Sequence, residues 1–290
     1  MIMKKLSLRQ YIRQYHTVKT TESYLYSIEK FIEQHPGSEK YKYDDIVRLL
    51  EKLAYKNLTK DYRIRILASI KKYYDYLVFM GKRKDHPCRG LYIKRSKAQV
   101  QTHLLFTMEE LNMLKKRFNR YKYLDARNQV IISFLLFQAL TSEELISLDV
   151  SNIDFDNNTI YIKASKKLHR RTIDLHPDQA EQIRNYITEK RSKLAKENVK
   201  NLLVTKSGDQ MTVDGIHAMI EPMKELFPDK VLNPKRIRQS VISFWLNERN
   251  LPLEDVMDLS GIKWPSSVLM YKRIDVKNQR AIINRFHPLG

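Results

Sequence analysis

Apolar residues in positions 1–90 recur at three- and four-residue spacings, the period of one helix face. Tyr24, Ile28, Phe31 and Ile32 form one such stripe, in a helix that starts at Thr20 or Thr21 and stops at His35-Pro36-Gly37. Ser7 caps a shorter helix before it, running to His16. Ile46, Leu49, Leu50 and Leu53 mark a third helix over Tyr43–Tyr55. Thr59 caps a fourth, in which Tyr62, Ile66, Leu67, Ile70, Tyr74 and Leu77 repeat until Gly81. Four amphipathic helices of this length can close a small bundle.

From Phe106 onward the pattern changes. Thr107 with Glu110, and Thr141 with Glu144, each read as a capping box opening a helix. The first helix is expected to reach Tyr121. Between the two lies a run over 124–139 apolar enough to sit in a core. Period-two alternation appears only after that. Ile153-Asp154-Phe155, a turn at Asp156-Asn157-Asn158, Thr159 to Lys163 and Arg171 to Leu175 predict a three-stranded antiparallel sheet with a basic turn at 165–169. Helical periods return over 177–197, 211–227, 234–248, 252–260 and 276–286. The expected fold class is mainly α: a four-helix bundle in 1–90, a linker in 91–104, and a helical domain with one small sheet in 105–290.

Charge narrows the partners. The 290 residues carry 53 Lys and Arg against 33 Asp and Glu, a net charge of +20, which favours a polyanion. Lys60, Arg63, Arg65, Lys71 and Lys72 lie along the fourth helix and predict a DNA-tracking face. The stretch 82–104, which includes the linker, adds seven Lys or Arg with a Pro and a Gly. No run approaches the roughly 18 apolar residues of a membrane span, and the N-terminus lacks a signal-peptide apolar core. A single cysteine, Cys88, excludes an internal disulfide, and the eight His show no metal-ligand spacing. A cytoplasmic protein with no metal, no cofactor and no membrane partner is the expectation. With 7 glycines and no phosphate-cradling loop, nucleotide-driven chemistry is not expected.

The candidate chemistry lies in 233–271. Lys235, Arg236 and Arg238 crowd the first turns of one helix, and an apolar run later delivers Tyr271, followed by Lys272. A phenol beside clustered cations can attack a phosphodiester while the cations hold its charge. Alone, Tyr271 is one of 17 tyrosines and would more often be a core residue.

The order and spacing of these motifs resemble the tyrosine recombinases, or phage-type integrases, over most of the chain. The family's Gly-Leu-Arg-x-x-Glu-Leu stretch corresponds to Ala139-Leu140-Thr141-Ser142-Glu143-Glu144-Leu145, with Thr141 at the arginine position. Its hairpin lysine corresponds to Lys166, five residues before Arg171. Its His-x-x-Arg corresponds to Lys235-Arg236-Ile237-Arg238, and the next position, often histidine, is Gln239. Its Leu-Gly-His corresponds to Ser260-Gly261-Ile262, and the tyrosine nine positions on is Tyr271.

The resemblance implies that Tyr271 attacks a DNA phosphate to leave a 3′-phosphotyrosyl link. Arg238 and Lys235 would hold the non-bridging oxygens, and Lys166 would protonate the leaving 5′-oxygen. Arg236, Lys263 and Lys272 are candidates to replace the cation missing at Thr141 and to contact DNA. The implied partners are double-stranded DNA, further copies of the chain docked through the helix over 276–286, and an accessory DNA-binding protein. Three functions stay open: a site-specific recombinase of a mobile element such as a phage, conjugative transposon or plasmid; an atypical conjugative relaxase that nicks one strand; and a catalytically inactive sequence-specific DNA-binding protein.

Overall fold

Several of the longer helices begin where a side-chain oxygen accepts one of the backbone N–H groups that a helix start leaves unpaired. A computed structural model describes residues 6–94, 102–116 and 122–273. These fall into two compact units, 1–98 and 99–290. Among the described residues no helix is long and apolar enough to cross a membrane.

The first unit holds α1 (Leu8–Arg13), α2 (Val18–Gln34), α3 (Tyr43–Tyr55) and α4 (Lys60–Phe79). Ser7 and Gln10 form a reciprocal capping box on α1. Thr17, three residues earlier than the sequence pattern suggested, caps α2 by accepting the N–H of Thr20. The stripe of α2 is correspondingly turned: Leu25, Ile28 and Phe31 are buried, whereas Ile32 is exposed. Gly37 adopts φ 78° directly after the helix end, a left-handed conformation that glycine takes without strain. The core joins Ile12, Ile28, Ile46, Ile70 and Tyr74, all fully buried. Tyr74 keeps its hydroxyl satisfied by donating to the Ser38 carbonyl at 2.6 Å. Cys88 is buried in the same core, and burial pushes its thiol up to about 11, so it packs rather than reacts.

The basic face expected on α4 is only partly present. Lys60 and Arg65 are exposed, with Arg65 over the Tyr62 ring and beside a cleft of about 730 Å³ between α2 and α4. The other three are half-buried. Arg63 Nε has no partner among the described residues. Lys71 donates to the Arg89 carbonyl, and Lys72 pairs with Asp75 at 3.4 Å. The physical reason is helix geometry: a 20-residue helix in a bundle turns part of any basic stripe toward its neighbours.

The second unit contains α5 (Met108–Asn112), α6 (Lys122–Phe137) and α7 (Ser142–Ser147), then β1 (Ile153–Asp154), β2 (Thr159–Ile162) and β3 (Arg171–Asp174). The three strands form one antiparallel sheet in the order β1-β2-β3. There follow α8 (Pro177–Asn185), a π-helical turn (Tyr186–Arg191), α9 (Ser192–Leu194), α10 (Val213–Ile220), α11 (Pro234–Asn247), α12 (Leu253–Ser260) and α13 (Pro265–Leu269). The sequence pattern suggested one unbroken helix over 177–197. The π turn interrupts it as it places Tyr186 in the core and lets Arg191 cap the Val199 and Asn201 carbonyls. The core runs from α6 (Ile131, Phe134, Leu135) to α11 (Ile237, Val241, Ile242). The helix from Met108 becomes 3-10 at Met113–Lys116, and its expected continuation to Tyr121 lies outside the described residues. So do residues 95–101 of the linker and the helix expected over 276–286.

Candidate active site

The site is built on the first turns of α11. Asn233 caps the helix by accepting the Arg236 N–H at 2.8 Å, Pro234 occupies its first turn, and no acidic residue sits there. The positive end of the helix dipole therefore adds to Lys235, which is exposed, and to Arg236 and Gln239, which are half-buried. Arg238 points inward and is 8% exposed. Its Nη2 donates to the Ser260 carbonyl at 2.7 Å, and its Nη1 to the Ala139 carbonyl. One guanidinium thus ties α11 to the end of α12 and to the link between α6 and α7. Burial pulls Arg238 down to about 10, while the Glu144 carboxylate and the Tyr271 phenol hold it up. It remains a cation at neutral pH.

Ala139 accepts that bond at φ 50°, a left-handed conformation that costs an L-residue with a Cβ roughly 1 kcal/mol. The expected result of Ala139→Gly is a gain of about 1 kcal/mol and a melting temperature higher by about 2–4 °C, measured by thermal denaturation. An unchanged or lower melting temperature contradicts the strain.

Next to this link, Thr141 and Glu144 form the capping box of α7. Glu144 Oε2 accepts the Thr141 N–H at 2.9 Å and its hydroxyl at 3.1 Å, and Thr141 Oγ1 accepts the Glu144 N–H. Glu144 Oε1 accepts Arg171 Nη1 at 2.6 Å, and Arg238 Nη1 stands 3.8 Å from Oε2. One buried carboxylate therefore sits between two buried arginines. Arg171 opens β3 on the inward face of the sheet, ahead of Ile173. Its Nε donates to the Leu259 carbonyl at 3.0 Å, and its Nη2 is buried with no acceptor among the described residues. Gly261 ends α12 at φ 70°, and a Cβ there would lie 2.5 Å from Arg171 Nη1. This close approach is what demands glycine at that position.

The hairpin turn is stitched to the same segment. Ser165 N–H donates to the Leu168 carbonyl at 3.0 Å, closing a turn that exposes Lys166 and Lys167. His169 N–H donates to the Gly261 carbonyl at 2.8 Å, and Leu168 bridges Ile262. Lys263 Nζ reaches the carbonyls of Ser165 and Lys166, each at 3.4 Å. Lys263 thus steadies the lysine turn.

Tyr271 follows α13 and is half-buried against the core. Its carbonyl accepts from Asn247 Nδ2 at 2.9 Å and from Ser243 Oγ at 3.5 Å, while the Arg273 N–H returns to Asn247 Oδ1 at 2.7 Å. The helix that carries Arg238 therefore also fixes the backbone of the tyrosine. Lys272 is exposed, as is Trp264.

The structure gathers Arg238, Thr141, Glu144 and Gly261 directly, and brings the backbones of Lys166, Ile262 and Tyr271 to the same region through short bonded links. Both terminal nitrogens of Arg238 donate to main-chain carbonyls, a structural role beside the one the sequence suggested. Sequence reading also missed Arg171, Asn247 and Ser243. For Arg171 a signal existed, since alternation puts 171, 173 and 175 on one face and so places a charge among apolar residues. Among the described residues no three His, Cys, Asp or Glu gather as a metal site.

The phage integrase family model matches residues 104–278. The tyrosine recombinase XerC of Bacillus pumilus is 23% identical over 289 residues, spanning 96% of this chain and 93% of that protein. XerC of Oceanobacillus iheyensis is 22% identical over 250 residues, spanning 85% of this chain and 81% of its own. Among solved structures, the XerH site-specific recombinase bound to its difH substrate in a pre-cleavage complex gives a TM-score of 0.73 at 14% identity, covering 96% of this chain and 84% of that one. The Tn1549 transposon integrase in complex with circular intermediate DNA gives 0.67 at 14% identity, covering 96% and 99%. At such identities the structures speak for the fold.

Proposed function

Because the chain belongs to the phage integrase family, the tyrosine recombinases, we propose that it breaks and rejoins double-stranded DNA at a specific site through a 3′-phosphotyrosyl intermediate on Tyr271. The observation that carries this reading is the tether between nucleophile and cation. Asn247, on the same helix as Arg238, holds the Tyr271 carbonyl at 2.9 Å.

In this reaction the Tyr271 oxygen bonds to phosphorus as the bond from phosphorus to the 5′-oxygen breaks. Lys166 delivers a proton to that leaving oxygen. Arg238, Lys235 and the positive end of α11 stabilise charge on the non-bridging oxygens. The phenol proton passes to water, since Ile262 holds the family's histidine position. The phosphotyrosyl bond conserves the energy of the phosphodiester, and a 5′-hydroxyl reverses the step. Assembly as a homo-oligomer on DNA, with or without an accessory DNA-binding protein, belongs to the same reading.

The test is covalent capture. The protein is mixed with a pool of nicked duplexes of random sequence, in which the departing 5′ fragment is lost by diffusion. Adducts that survive detergent are sequenced for the DNA site and digested for the modified peptide. An adduct mapping to Tyr271 is expected; no adduct, or one on another residue, overturns the reading. Sequence-specific DNA binding without cleavage is the second reading. It is favoured by Thr141 at the arginine position and by the carbonyls that occupy Arg238, and the same capture separates the two.

On the first unit, Lys60→Ala and Arg65→Ala are expected to weaken DNA binding and to lower the slope of log affinity against log salt by about one each. Lys71→Ala and Lys72→Ala, whose ammonium groups have internal partners, should change the slope much less. Fluorescence anisotropy titrations across a salt series check this, and equal slopes for all four variants contradict it.

A further inference from the structure

We infer that Arg171 is a positioning residue for strand cleavage: it holds and neutralises Glu144, so that the charge of Arg238 is left for the scissile phosphate. This rests on the strand-cleavage reading and adds to it a residue outside the catalytic set that the resemblance implied. The reasoning is one of charge and distance. Glu144 is the carboxylate at the centre of the site, with its side chain 3% exposed. Arg171 meets it at 2.6 Å and Arg238 at 3.8 Å, so the closer pair is the one away from the helix of Arg238. Two guanidiniums and one carboxylate leave a net single positive charge for a phosphodiester. Without Arg171 the carboxylate would turn to Arg238 and cancel it. In a chain with Thr141 at the arginine position, no second buried cation among these partners would compensate.

Two further observations fit a charge role better than a purely structural one. Arg171 keeps Nη2 buried without an acceptor among the described residues, a cost that a guanidinium selected for hydrogen bonding would avoid. Gly261 is held in the left-handed region, where any Cβ would strike Arg171. The end of α12, which also supplies the Ser260 carbonyl to Arg238, is thus shaped around this side chain.

The experiment is a charge-rescue cycle on the DNA site recovered by covalent capture, read as the single-turnover rate of adduct formation with DNA affinity and melting temperature measured beside it. Arg171→Met is expected to lower the rate by about tenfold or more while leaving DNA affinity nearly unchanged. Adding Glu144→Gln removes the opposing charge and keeps the capping box, which glutamine also forms. The double variant is expected to recover most of the lost rate. A folded Arg171→Met at the wild-type rate overturns the inference, as does a double variant no faster than Arg171→Met. Should Arg171→Met melt too low to assay, the double variant is compared with Glu144→Gln alone. With the carboxylate neutral, removing Arg171 should change the rate by only about twofold to threefold, and a loss of about tenfold overturns the inference. If wild type forms no adduct on any recovered site, the strand-cleavage reading falls and this inference with it. If wild type forms one and the cycle fails, only the role of Arg171 falls.

Discussion

Tyr271→Phe abolishes the covalent adduct and leaves both the fold and DNA affinity in place. This is the largest effect expected on activity, because the variant lacks the attacking atom and not merely a stabilising contact. The structure explains why the change should be so selective. Among the described residues the Tyr271 phenol has no hydrogen-bond partner, so its removal orphans no buried group. The backbone anchors to Asn247 and Ser243 involve the Tyr271 carbonyl, which phenylalanine retains. The ring keeps its packing against the core. The melting temperature should therefore move by no more than about 2 °C. The check is adduct formation on the nicked duplex beside a melting curve and a binding titration. An adduct at wild-type yield from Tyr271→Phe contradicts the assignment of the nucleophile.

Arg238→Met should combine a large loss of stability with a large loss of rate. Arg238 supports two main-chain carbonyls on different segments, and its removal leaves the buried Ala139 and Ser260 oxygens without their donor. Breaking a buried charged pair by deleting one partner costs roughly 3–5 kcal/mol. Here Glu144 retains Arg171, which places the expected cost near the lower end, about 3 kcal/mol, or about 6–12 °C in melting temperature for a unit of this size. On the chemistry, losing a cation at the developing charge should slow adduct formation by on the order of a hundredfold or more. Arg238→Lys separates the two effects. Lysine keeps a charge but has no planar fork to span two carbonyls, so stability should drop while part of the rate returns. Calorimetry and single-turnover cleavage measure each arm. A lysine variant that melts like wild type would mean that the bridge between segments carries little of the fold.

Much of this was readable in the chain. The capping boxes at Ser7, Thr107 and Thr141 appear where the residues call for them, because a cap is settled within four residues. The three strands follow from alternation and the turn at Asp156-Asn157-Asn158 for the same local reason. The register that linked Lys166, Lys235, Arg238 and Tyr271 was legible as spacing. What each side chain bonds was not. Arg238 meets Ala139 across 99 positions, and Arg171 meets Glu144 across 27. No local rule says that these cations turn inward onto carbonyls and a carboxylate. The same limit applies to α4, where Lys60 and Lys71 look equivalent as residues and differ only in what the bundle places beside them.

The cap on α7 also bears on how this chain could change. Thr141 is bonded into place by a hydroxyl that serves Glu144 in both directions. An arginine there would lose the side-chain acceptor of the helix start, at about 1 kcal/mol, and would add a third guanidinium beside Glu144. The helix would weaken before the phosphate site gained. Changing Thr141 to arginine therefore begins with a loss in the fold.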